Sequence, residues 1–250
     1  CAGGGLDCSN APFDSWYWQI WNEPGDAKFW GSDMNYTMIY NKAYNAIKAV
    51  AMEAKVGGFG LYVLTDDPVH ESKLNDFLQN TNGLDFISLH HYGNTAPQIE
   101  CSGEEFLYIN YTKQEFFIDT NKVRDKINLY KPNSNVRIVI DETNPSSIQP
   151  DTWDQEQKGA AWYASALYWI LRNNNTGTLY HEGTGGDGIY SYGMWTYPSL
   201  ITYPVYDMYK LFTKYNLDKS IIVDSTENEF VNVLAVKNPE KIITLINKAD

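Results

Sequence analysis

No stretch of the 250 residues approaches the run of about 20 apolar side chains that a membrane-spanning helix requires. Nor does a signal-peptide pattern stand at the start. Basic residues are few: 19 Lys and Arg face 31 Asp and Glu, a net charge of −12, which excludes the nucleic-acid backbone as a natural partner. No G-x-G-x-x-G turn follows any strand-like segment, and no G-x-S-x-G elbow exists. The "GTGGDG" loop lacks the following Lys-Ser/Thr and helix of a phosphate cradle. Cysteines are scarce and odd in number. Cys1, Cys8 and Cys101 imply a free thiol, a partner outside the chain, or a missing segment.

Aromatic residues, by contrast, are abundant, with 19 Tyr and 8 Trp. Folded proteins bury such rings, and carbohydrate clefts also use them, because the C–H face of a sugar stacks on an aromatic face. Three N-x-Ser/Thr sequons, at Asn35, Asn110 and Asn174, are compatible with a secreted glycoprotein. An extracellular or cell-surface location is therefore expected.

Periodicity alternates between strand and helix. Residues 16–22 read as a buried strand. Residues 35–55 read as a helix with Ile39, Ala43, Ile47, Val50 and Ala54 as its apolar stripe, stopped by Gly57-Gly58. Strand patterns follow over 59–65, 85–92 and 136–141, and helical patterns over 71–79, 113–130, 155–172 and 203–215. The long connection from Gly93 to about Thr112 reads as a surface loop over a cleft, and a last β segment falls within 178–196.

This repetition implies an α/β fold with parallel strands, either an open doubly wound sheet or the later part of an eight-fold (β/α) barrel. From about Ser220 the pattern becomes a β-hairpin, "FVNVLAV" and "IITLIN" around Lys237–Lys241. The expected organisation is a (β/α) domain over 1–219 and the beginning of an all-β domain over 220–250.

Reactive side chains close strand after strand: Asn22-Glu23, His90-His91-Tyr92, Asp141-Glu142. A barrel gathers strand ends around one mouth, so Glu23 and Glu142 become a pair. A carboxylic acid and a carboxylate flanking a glycosidic bond are the minimum equipment for its hydrolysis. The blander reading makes Glu23 a helix N-terminal acid and Glu142 a solvated loop acid. Asp141 is the alternative to Glu142, but strand alternation turns it the other way. Ser88, His90 and Tyr92 share one face by the same alternation, which also keeps His90 and His91 from ligating one metal ion from a regular strand. No metal site is expected, and His91 is read as a core residue or one supporting the site from behind.

"WNEPG" followed by "FW", a Tyr-rich helix and "KVGG" resembles the fourth strand and helix of clan A glycoside hydrolases. Among them it is most similar to family 39, with families 5, 30, 51 and 79 as neighbours. The resemblance implies a TIM-barrel fold and a retaining glycosidase without a cofactor. It implies Glu23 as general acid/base, Glu142 as nucleophile, and Asn22 on the sugar 2-hydroxyl. "DFISLHHYG" resembles the sixth strand of that clan, which implies that Tyr92 donates to Glu142 and His90 lines the subsite. Trp195 in "YGMWTYP" would floor the bound sugar. Thr143-Asn144 follow Glu142 where family 39 usually has Trp, a departure from the pattern.

Counted from the fourth strand, strands one to three are missing, because residues 1–15 are too few to hold them. The missing barrel half is expected in the same or another chain. The expected substrate is a carbohydrate with β-glycosidic bonds: a xyloside, glucoside or glucuronide. A non-catalytic carbohydrate-binding or surface-structural protein derived from such a barrel is the alternative.

Overall fold

The structure is a computed structural model that describes residues 15–24, 35–62, 68–93, 111–147, 155–173, 176–178, 184–186, 193–214, 221–227, 231–238 and 240–247. Five strands form one parallel sheet in chain order: β1 (Tyr17–Ile20), β2 (Lys55–Tyr62), β3 (Phe86–Tyr92), β4 (Arg137–Asn144) and β5 (Thr176–Thr178). Four helices connect them: α1 (Tyr36–Val50), α2 (Pro68–Asn80), α3 (Thr120–Tyr130) and α4 (Gln157–Arg172). A wider, π-type turn over Gln114–Asp119 leads into α3. Two short parallel strands, β6 (Thr184–Gly186) and β7 (Trp195–Tyr197), form a separate pair and precede α5 (Pro204–Lys214).

Sequential parallel neighbours joined by helices are the wall of a barrel rather than a doubly wound sheet, in which the strand order reverses. β3 is buried along its whole length. Its run Phe-Ile-Ser-Leu-His-His-Tyr reads as a strand covered on both faces, which explains the weak alternation in the sequence.

α1 departs from the expected stripe by about one residue of rotation. Its inward face is Tyr36, Tyr40, Tyr44 and Ile47, whereas Val50 is exposed. Asn35 caps the helix through its side chain, which accepts from Met38 N. The Tyr36 hydroxyl donates to Ile20 O at 2.8 Å and accepts from Phe59 N at 2.8 Å, stitching β1 to β2. Burial pushes this phenol well above its ordinary range, so it stays neutral.

Gly57-Gly58, expected to stop the helix, lie inside β2; α1 ends at Val50 instead. A side chain at Gly57 would overlap the carbonyl and ring of Phe86, and one at Gly58 would overlap the Tyr36 hydroxyl. The glycines mark close approach in a strand, not a helix cap. The loop expected over 94–110 lies outside the described residues.

β8 (Ile221–Glu227), β9 (Val231–Asn238) and β10 (Glu240–Asn247) form a separate antiparallel sheet in the order β10-β9-β8. Its Leu234, Val236 and Ile246 belong to the buried core, and Asn232 Nδ2 donates to Ser165 Oγ on α4 at 3.1 Å.

Candidate active site

Glu23 lies just beyond the carboxyl end of β1. Trp21 (φ 65°) and Glu23 (φ 43°) both adopt left-handed backbone, which bulky residues rarely accept and which costs on the order of 1–3 kcal/mol each. The Glu23 N–H donates to Gly60 O at 3.0 Å and fixes the turn to the next strand. Gly60 itself has φ +47°, and a Cβ there would sit 3.1 Å from Gln19 Nε2, 3.5 Å from His90 Nε2 and 3.6 Å from Glu23 N. This position needs glycine for its conformation and for space.

Two irregularities of the sheet shape the site. The β2–β3 register shifts between Phe59 and Leu61, where the Gly60 N–H donates to Ser88 Oγ at 2.8 Å. The β3–β4 register shifts so that Leu89 pairs with Ile140 but His90 pairs with Glu142, leaving Asp141 as the extra residue. Such a bulge breaks two-residue alternation. The expectation that Asp141 turns away from the site is thereby corrected: Asp141 and Glu142 both approach His90.

His90 is the centre of the cluster. Its Nδ1 is 2.8 Å from Glu23 Oε1 and 3.7 Å from Glu142 Oε2, and its Nε2 is 3.7 Å from Asp141 Oδ1. The imidazole is 1% exposed, against 20% for the Glu23 side chain, 24% for Glu142 and 12% for Asp141. The ring expected to line the subsite therefore lies beneath the two glutamates. Tyr92, two residues along β3, donates its hydroxyl to Glu142 Oε1.

Glu23, His90 and Glu142 each present one atom within 4.8 Å of the others. This is also the group of described residues whose side chains could hold a metal ion. His91 takes no part in it: buried in the core, its ring stands edge-on to Phe116 at 5.4 Å.

Electrostatics follow from burial and charge. Burial pulls the His90 pKa down, but the hydrogen bond to Glu23 and the charges of Glu142, Asp141 and Glu23 outweigh it, so the net shift is upward. Burial pushes the Asp141 carboxyl up to about 6, against the opposing pull of His90 and of a hydrogen bond from Gln19. Burial lowers His91 to about 3, helped by the nearby His90 charge, and leaves it neutral.

Asn22 is half-buried directly before Glu23. Trp195 lies on β7, half-buried, with its ring nearly perpendicular to Tyr206 of α5 at 5.9 Å. Gln19, Gly60, Ser88 and Asp141 were not singled out as site residues from the sequence. Of these, Asp141 stood next to an expected catalytic glutamate and Ser88 shared the face of His90 and Tyr92, whereas Gln19 and Gly60 carried no visible signal there.

Two carboxylates, at the ends of β1 and β4, meet over a buried histidine of β3, and a pair of carboxyl groups is what glycoside hydrolysis requires. The profile of glycosyl hydrolases family 39 matches residues 10–248, and the chain belongs to this family. Its fold is α/β of the (β/α) barrel type. A monomeric beta-xylosidase from Caulobacter crescentus CB15 superposes with a TM-score of 0.63 and 17% identity, over 90% of this chain and 47% of that one. The GH51 arabinofuranosidase from Xanthomonas axonopodis pv. citri gives 0.64 and 14% identity, over 93% and 51%. The GH39 enzyme from the same organism gives 0.61 and 18%, over 90% and 46%. The chain thus spans about half the length of these structures.

Proposed function

We propose that the protein is a retaining glycosidase acting on β-linked sugars, with Glu23 as acid/base and Glu142 as nucleophile. The observation that carries this reading is the spacing of the carboxylates. One oxygen of each lies within 4.8 Å of the other, near enough for both carboxyl groups to flank a single glycosidic bond. A glycosidase of this clan needs no cofactor.

In the first step Glu142 attacks the anomeric carbon, the bond to the leaving oxygen breaks, and that oxygen takes the Glu23 proton. In the second, water attacks the same carbon, gives its proton to Glu23, and frees the Glu142 carboxylate. The Tyr92 hydroxyl holds one Glu142 oxygen and leaves the other to attack. Asn22 is assigned to the sugar 2-hydroxyl and Trp195 to the sugar floor by the family resemblance. A β-xyloside is the first substrate to try, because xylosidases stand among the structural relatives.

The rest of the barrel belongs against β1. Among the described residues this strand ends the sheet, and Trp16, Tyr17 and Trp21 are exposed there, an apolar edge suited to further strands of the same or another chain. Residues 1–219 form the catalytic part on this reading, and 220–250 belong to a β domain. An extracellular or cell-surface location is supported by the sequons, of which Asn35 is exposed.

The test is trapping. A 2-deoxy-2-fluoro-β-xyloside with a dinitrophenyl leaving group should label Glu142, read by peptide mass spectrometry. Label on another residue, from a chain that hydrolyses xylosides, would reject the assignment.

A further inference from the structure

We propose that Asp141 is a positioning residue: acting through His90, it selects the imidazole tautomer that presents a bare Nδ1 to Glu23. This rests on the reading of Glu23 as the proton donor. Asp141 Oδ1 and His90 Nε2 are both buried, neither atom has a hydrogen-bond partner among the described residues, and they face each other at 3.7 Å. A small closing movement satisfies both, and leaving them unsatisfied is costly. Two departures from regular sheet create the arrangement. The β4 bulge delivers Asp141 to the His90 side, and Gly60, lacking a Cβ, leaves the space beside Nε2 open.

The chemistry follows from the donor count. Burial disfavours a charged His90, and the ionised Glu23 is what chiefly raises its pKa against burial. Once Glu23 carries the proton it must donate, that pull is gone and burial favours the neutral imidazole, which has one N–H and one bare nitrogen. An ionised Asp141 accepts only, so it draws the hydrogen to Nε2 and leaves Nδ1 as the acceptor, 2.8 Å from Glu23 Oε1. A bare Nδ1 there is complementary to the protonated Glu23 carboxyl, the form that must donate to the leaving oxygen. The opposite tautomer would present an N–H and favour the carboxylate, which cannot donate. The groups facing Asp141 are Gln19 from β1, His90 from β3, Glu142 on its own strand and the Tyr36 phenol from α1. Above pH 7 Asp141 is ionised, as the mechanism requires.

The experiment compares the full chain with Asp141→Asn at pH 7.5. The first readout is the nitrogen NMR spectrum of 15N-histidine protein, with the His90 signals assigned by their loss in His90→Gln. The expected result is an Nε2–H imidazole in the parent and a shift toward Nδ1–H in the variant. The same tautomer in both proteins would overturn the proposal. The second readout is leaving-group dependence. Phenyl β-xyloside, which needs protonation, should lose roughly tenfold to hundredfold in kcat/KM, which reports the first step, while 2,4-dinitrophenyl β-xyloside, which does not, should stay within about threefold in kcat/KM. An equal loss on both would make Asp141 a structural residue only and reject the proposal. A parent chain inactive on every glycoside tried would sink the hydrolase reading, and the nitrogen spectrum would still decide the tautomer.

Discussion

Tyr92 and Glu142 stand on neighbouring parallel strands, and the Tyr92 hydroxyl donates its hydrogen bond to Glu142 Oε1. The contact crosses from one strand end to the next and orients the carboxylate proposed to attack the sugar. A hydrogen bond to a charged group is worth about 1.5–3 kcal/mol, or roughly tenfold to hundredfold in rate. Tyr92→Phe should therefore lower kcat by that factor without a large change in melting temperature. Steady-state kinetics on an aryl β-xyloside beside a thermal melt checks it. A variant with full activity would show that the hydroxyl does not orient Glu142.

The close approach of β2 and β3 makes a second prediction. A Cβ at Gly57 would overlap the Phe86 backbone, whereas one at Gly177 meets nothing within 4 Å. Overpacking costs about 1–3 kcal/mol, and the clash with backbone puts Gly57→Ala at the upper end. Gly177→Ala should change stability by less than about 0.5 kcal/mol. Urea unfolding of both variants separates close approach from a general dislike of alanine at glycine positions.

Burial of His91 sets a third. Its pKa falls to about 3 in the folded protein, first through desolvation and then through His90, against an ordinary 6.5 in the unfolded chain. The unfolded state binds the extra proton, so His91 removes stability as pH falls from about 6.5 towards 3, by about 1.4 kcal/mol per pH unit. His91→Leu, which has nothing to protonate, should unfold at lower pH than the parent. Far-UV circular dichroism across an acid titration measures the two midpoints, and coincident midpoints would contradict the burial of a neutral His91.

Much of this was legible in the residues themselves. Strand–helix alternation foretold the parallel sheet, and the strand-end residues Glu23, His90 and Glu142 come together in it. What escaped was local. The role of Asp141 depends on a single extra residue in β4, and a bulge leaves no mark in a β-branched run such as "VRIVID". Gly57-Gly58 read as a helix stop because a glycine pair looks the same whether it ends a helix or admits a neighbouring backbone. The α1 face was misread for a related reason. Tyrosines, amphipathic in isolation, turn inward here because Ile20 O, Phe59 N and Val56 O supply partners for their hydroxyls.

The measurement that bears most directly on the paired carboxylates is the anomeric configuration of the first product formed from an aryl β-xyloside, followed by proton NMR before mutarotation. Double displacement through Glu142 with Glu23 as acid/base predicts β-xylose first, the α-anomer growing in afterwards. If α-xylose appeared first, a water would have to sit between Glu23 and Glu142, and the double-displacement account would be contradicted.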